Sequence, residues 1–136
     1  MFFGVRMEFP SQVKIPPMIR PYVDAWGRED ADALAACFEE ECEFHSPLVK
    51  GPLRGRAAVH SYFAELFRRT PGIQTHGSRF FILGRSSLTV TELTVENPGW
   101  GEGRYLLTSA QLQRFSEAGL IRHMEVFLDV NAAVKI

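Results

Sequence analysis

Three helical stretches followed by four long alternating strands predict an α+β domain, with an antiparallel sheet and helices gathered on one of its faces. Between residues 19 and 67 the apolar side chains recur at three- and four-residue spacing, the period of helices with one buried stripe. From residue 74 onward the texture becomes period-two runs rich in Val, Thr, Phe and Leu, cut by turn signals. The chain of 136 residues has the size of one core and shows no internal repeat or linker, so a single domain over 17–136 is expected behind an N-terminal arm over 1–16.

Ile19, Tyr22, Val23 and Trp26 mark the first helix, in which Pro21 sits in the first turn or imposes a kink. Asp30 is placed to cap a second helix carrying Ala31, Leu34, Cys37 and Phe38. The acidic run Glu39–Glu41 reads as the solvated C-terminal end of that helix. A short strand over 42–46 stops at Pro47, because proline cannot continue a central ladder. After the loop "LVKGPLRGR", Val59, Tyr62, Phe63, Leu66 and Phe67 define the third helix, ended by Arg68-Arg69-Thr70-Pro71-Gly72. The strands "IQTHGSRFFILG", "SSLTVTELTVEN", "GRYLLTSAQLQRF" and "LIRHMEVFLDV" follow, separated by turns at Gly84-Arg85, Asn97-Pro98-Gly99 and 116–119. A curved sheet closing over three helices leaves a cavity at its open end.

Acidic and basic residues nearly cancel, to a formal net charge of -1, and the cations are scattered, which argues against nucleic acid as a partner. No apolar run approaches the roughly 18 residues of a membrane span. Cys37 and Cys42 lie too close together for a disulfide framework and form no CxxC pair, so reduced thiols in a cytoplasmic protein are expected. His45, His60, His76 and His123 lack HxH or HExxH spacing, and neither a metal nor a cofactor is predicted. Eleven Phe in a chain that is 46% hydrophobic supply enough apolar surface to line a pocket as well as fill a core. The last strand is apolar on both sides, around Met124, Val126 and Leu128 on one and Ile121 and Phe127 on the other, so a homodimer is expected to cover the outer face.

Several side chains are candidates for a site. Tyr22 and Trp26 share a helix face, and their hydroxyl and indole need partners, from a polar-lined pocket or from core packing. Ser109, Gln111 and Gln113 alternate on one strand face, which is either solvent or a pocket wall. His45 and His123 are candidate acids or bases, because imidazole as a group changes charge near neutral pH. Asp129 ends the last strand, as a base or as an anchor for the following loop. Glu92 would be costly to bury unless paired.

The stretch "PYVDAWGREDADALAACFEEECEFHSPLVKGPLRGR", together with the closing hairpin "RFSEAGLIRHMEVFLD", resembles the nuclear transport factor 2-like superfamily. This is the cone-shaped, cystatin-like fold of ketosteroid isomerases, limonene epoxide hydrolases and SnoaL-like polyketide cyclases. The resemblance covers roughly residues 17 to 130 and implies a curved antiparallel sheet packed on three helices. It places Tyr22 where the isomerases hold the substrate oxygen and Gln111 where they keep a protonated carboxylic acid. Their general-base aspartate is replaced by Ser46, and a hydroxyl cannot serve as base for a C–H proton at neutral pH, so steroid isomerisation is not expected. The Arg-x-Asp strand of the epoxide hydrolases is met by "TELTVE", without arginine. The resemblance therefore implies a small, largely apolar, oxygen-bearing ligand, with Tyr22, Gln111 and Asp129 as catalytic candidates. Trp26, Phe38, Ser46, Phe63 and Met124 would line the cavity. An isomerase, cyclase or hydratase is one outcome, and a non-catalytic binding or dimerisation module of the same fold is the other.

Overall fold

The structure, a computed structural model, describes residues 14–136. The expected arm over 1–16 falls outside them except for residues 14–16. Helix α1 (Arg20–Gly27) carries Pro21 in its first turn, where the missing N–H costs nothing. Helix α2 (Ala31–Ala36) is capped by Asp30, whose Oδ1 accepts from the Ala33 amide at 3.0 Å. It stops at Cys37, and strand β1 (Phe38–His45) begins at once. The acidic run Glu39–Glu41 therefore belongs to a strand and not to a helix end. Its physical setting explains why: the ladder with β6 is interrupted between Phe38 and Glu43, so the glutamates occupy an irregular stretch while Phe38, Cys42 and Phe44 turn inward and are buried.

Strand β2 (Leu53–Arg54) pairs back onto β1 and leads into helix α3 (Arg56–Arg69). The four long strands follow where the alternation puts them: β3 (Gln74–Leu83), β4 (Ser86–Glu96), β5 (Arg104–Phe115) and β6 (Ile121–Leu128). A 3-10 turn (Val130–Ala132) and a two-residue strand β7 (Val134–Lys135), which pairs with β5, close the described chain. The sheet order is β2-β1-β6-β5-β4-β3. The sheet is mixed, not purely antiparallel: β1 lies parallel to β6, with Phe44 beside Met124 and His45 beside Glu125. The first strand is thus received by the last one, a long-range pairing that no local pattern announces.

The helices pack on the inner face of β1, β5 and β6 around Ile19, Leu34, Phe38, Phe44, Val59, Phe63, Ile121 and Met124, all essentially inaccessible to solvent. Phe63 is the hub, with the rings of Tyr22, Trp26, Phe44 and Tyr62 meeting it at 5.2–6.4 Å between centroids and steep angles. Two consecutive residues fasten α3 to β1. The Gly55 amide donates to the Cys42 carbonyl at 2.9 Å, and Arg56 donates through Nε and Nη2 to the Phe38 carbonyl at 2.9 and 2.6 Å. Gly55 does so at φ 92° and ψ 153°, backbone that side chains rarely allow. Among the described residues no helix is long and apolar enough to cross a membrane.

Candidate functional site

The loop after β1 and the exposed face of α3 enclose a cavity of about 1020 Å³. Pro47, Leu48, Val49 and Leu53 form one wall, and Ala58, Ser61, Tyr62, Leu66 and Arg69 of α3 another. The β4–β5 loop closes it with Asn97–Trp100, and the end of β6 contributes Leu128. The space is within the range of small-molecule sites and its walls are mainly apolar, with few polar groups.

One of these polar groups is the half-buried Tyr62 hydroxyl, which is paired with Ser46. The Tyr62 hydroxyl lies 3.0 Å from Ser46 Oγ, which also accepts from the Leu48 amide at 3.2 Å. Burial raises the Tyr62 pKa, so its hydroxyl stays protonated at neutral pH and can donate. Glu65 also lines the cavity, but Arg68 and Arg69 bind its carboxylate and hold its pKa down to about 2. A carboxylate that acidic is a weak proton acceptor, and the site offers hydrogen bonding more readily than base catalysis.

The expected site residues separate into different surroundings. Tyr22 is buried, and its hydroxyl accepts from the Trp26 indole Nε1 at 2.8 Å; burial drives its pKa upward. Tyr22 lines a second cleft of about 580 Å³ together with Met18, Cys37, Phe115 and Leu120. Gln111 is half-buried on the inner sheet face between Thr89 and Val126 and lines neither space. Phe38, Phe63 and Met124 are sealed in the core, and Trp26 packs edge-on against Phe63 and Phe67. Ser46 is buried and lines a separate cleft of about 340 Å³ with His45 and Pro47, and it meets the large cavity only through its hydrogen bond to Tyr62. Asp129 is exposed, and its Oδ1 accepts from the Asn131 amide at 3.0 Å as the cap of the 3-10 turn. Glu92 is exposed, so its charge needs no buried partner.

The face of Ser109, Gln111 and Gln113 points inward, with Gln113 fully buried. With its amide oriented so that donors meet acceptors, Gln113 donates to the carbonyls of Ser87 and Gln111 at 3.0 and 3.3 Å. Beside it, the buried hydroxyls of Ser87 and Thr89 have no hydrogen-bond partner.

Tyr62 was hidden from sequence reasoning because it sits within the apolar stripe of α3. A usable signal was present, however: Ala58, Ser61, Tyr62, Glu65 and Arg69 repeat at helical spacing one notch away from the core stripe, which marks a second, partly polar face.

A family model describing the SnoaL-like domain matches residues 19–124. The chain belongs to the SnoaL-like domain family. Solved structures of low identity share the fold of this SnoaL-like chain. An NTF2-like protein of unknown function from Burkholderia pseudomallei superposes with a TM-score of 0.72 at 15% identity, covering 82% of this chain and 88% of its own. A protein with a ketosteroid isomerase-like fold from Catenulispora acidiphila, solved with trimethylamine, gives 0.74 at 13%, covering 86% and 88%. The epoxide hydrolase/cyclase-like enzyme SalBIII of pyran ring formation in salinomycin gives 0.70 at 20%, covering 88% and 93%. No curated protein matches this chain.

Proposed function

We propose that this SnoaL-like domain binds a small, largely apolar, oxygen-bearing molecule in the cavity between α3 and the loops that follow β1 and β4. The observation that carries the reading is the Tyr62 hydroxyl, partnered by Ser46 Oγ at 3.0 Å, on the wall of a mainly apolar space of about 1020 Å³. Apolar walls supply affinity in proportion to area, and one oriented donor fixes an oxygen. Two free thiols, Cys37 and Cys42, fit a reducing cytoplasmic setting. A homodimer would cover the outer sheet face, where Phe81, Leu88 and Leu112 form an apolar row across β3–β5 and Phe127 lies diagonally beyond it on β6.

Catalysis of isomerase, cyclase or hydratase type is the second reading. The unpartnered hydroxyls of Ser87 and Thr89 beside Gln111 favour it, because a ligand oxygen reaching that face would satisfy them. In that reading Gln111 holds the oxygen, Tyr22 can still donate its own proton while accepting from Trp26, and Asp129 must first release the 3-10 turn.

A thermal-shift panel of steroid ketones, terpene alcohols and aromatic polyketide phenols, followed by calorimetry on the best compound, tests the binding reading. Tyr62→Phe should weaken binding about two- to tenfold, the equivalent of about 0.5–1.5 kcal/mol for a neutral hydrogen bond, and Leu66→Trp should block it sterically. Parent-like affinity in both variants would move the site elsewhere.

A further inference from the structure

On the outer face of the sheet, where β1 runs parallel to β6, four titratable side chains meet. β1 presents Glu43 and His45, which are two residues apart and so share a face, and β6 presents His123 and Glu125 in the same way. The register sets Glu43 beside His123 and His45 beside Glu125. The two imidazoles lie 5.2 Å apart between centroids. His45 Nε2 is 2.9 Å from Glu43 Oε2, and His123 Nδ1 is 3.4 Å from the same oxygen. The other His123 nitrogen, Nε2, is 2.9 Å from Glu125 Oε1. The second oxygen of Glu43 is engaged by Arg54 Nη1 at 2.7 Å.

This arrangement has a consequence for His123. If its Nε2–H donates to Glu125, the neutral ring carries a lone pair on Nδ1, and that lone pair faces a carboxylate oxygen. Two acceptors in that position repel unless a proton or a metal cation lies between them. The binding cavity makes no use of the cluster, and the hydrophobic core does not require it.

We propose that Glu43, His45 and His123 form a divalent-metal site of the zinc type, with Glu125 as the residue that orients His123. Glu43, His45 and His123 can each offer one ligand atom, and these atoms lie within 4.8 Å of one another. Ligands held at about 2.0–2.1 Å from a tetrahedral zinc ion stand about 3.3 Å apart, so the separations of 2.9 and 3.4 Å need only small side-chain adjustments. Two imidazoles and one carboxylate suit zinc and its borderline neighbours, whereas calcium and magnesium take oxygen. Glu125 plays the part that outer-shell carboxylates play for metal-bound imidazoles, fixing the tautomer that leaves Nδ1 free.

Three protein ligands leave a fourth tetrahedral position. A cleft of about 340 Å³ beside the cluster, lined by His45, Pro47, Val49, Glu125 and Phe127 among others, gives room there for water or a small anionic ligand. The side chains of Glu43, His45 and His123 are 25–40% exposed, so an ion can reach them and substitutions should not unfold the chain. The expectation of no metal rested on spacing along the chain, and these ligands come together only through the parallel pairing.

Calorimetric titration of zinc chloride into the metal-free full chain, paired with the visible absorption of the cobalt(II)-loaded protein, tests the site. About one ion should bind per chain, with a four-coordinate cobalt spectrum. His45→Ala, His123→Ala and Glu43→Gln should each weaken binding at least tenfold, and Glu125→Gln by about tenfold or more. His60→Ala, whose ring pairs with Asp32, should bind like the parent. Thermal melts of the metal-free variants verify that they fold, and Glu43→Gln keeps the side-chain shape throughout. Absence of saturable zinc binding in the parent, or equal affinity in folded His45→Ala and Glu43→Gln, would overturn the proposal.

Discussion

Gly55 is a position where one methyl group should be costly for backbone reasons alone. Its φ of 92° and ψ of 153° place it in a region reserved almost wholly for glycine, where another residue costs of order 1–3 kcal/mol. Crowding is not the cause, because a Cβ built there would meet the Glu40 carbonyl oxygen at 3.6 Å, an ordinary contact. The penalty of Gly55→Ala is therefore torsional, and it is partly offset by about 0.4–1 kcal/mol of entropy removed from the unfolded chain. A net loss of about 1–2 kcal/mol remains. With an unfolding entropy of about 2.1 cal/mol/K per residue, that corresponds to a melting point lower by roughly 4–8 °C in scanning calorimetry. Gly84→Ala is the control. Gly84 has φ 58° and no neighbour within 4 Å, so only the milder left-handed cost applies, and the same offset nearly cancels it. If Gly55→Ala melted within about a degree of the parent, or no lower than Gly84→Ala, the account of the β2–α3 junction as a glycine-only joint would be wrong.

Two further outcomes are expected. Sedimentation at micromolar concentration should show a dimer that Phe127→Asp dissociates, because Phe127 is half exposed on the outer face; a monomeric parent would remove that proposal. The folded-state pKa of Glu65, lowered to about 2 by Arg68 and Arg69, means that its contribution to stability is present above the unfolded carboxylate value of about 4.3 and fades as pH falls toward 2. Urea midpoints of the parent and Glu65→Gln should accordingly converge between about pH 5 and 2, and a gap that stays constant across that range would contradict the assignment.

The three helices and four long strands could be read from periodicity because each buries one face, which its own residues record. Tyr22 to Trp26 and Val59 to Phe67 fall on the helices that their spacing predicts. The start of β1 was illegible, since three consecutive glutamates after Phe38 look like a solvated helix end, and only the interrupted ladder with β6 explains them as strand. The site was less legible than the fold. Ser46 lines a smaller cleft beside the cavity, and its partner Tyr62 looks in the sequence like one more core residue of α3. Tyr22 and Gln111 share a lineage position in the resemblance, yet the hydroxyl of Tyr22 is already occupied by Trp26. Glu43, His45, His123 and Glu125 carry the pattern Glu-x-His and His-x-Glu, and nothing local says that the two strands are neighbours.

The pairing of β1 with β6 also governs the order in which the protein can be assembled. Phe44 finds its strand partner at Met124, eighty residues further along the chain. During synthesis the aromatic hub of Phe38, Phe44 and Phe63 is made first, and the strand that seals it follows only after the intervening strands have left the ribosome. Until then a greasy, half-built cone is open to solvent and to other nascent chains. Closing so long a loop is paid in chain entropy before any contact rewards it, so the joining of these two strands should be a late and slow event, and refolding should be most vulnerable to aggregation just before it.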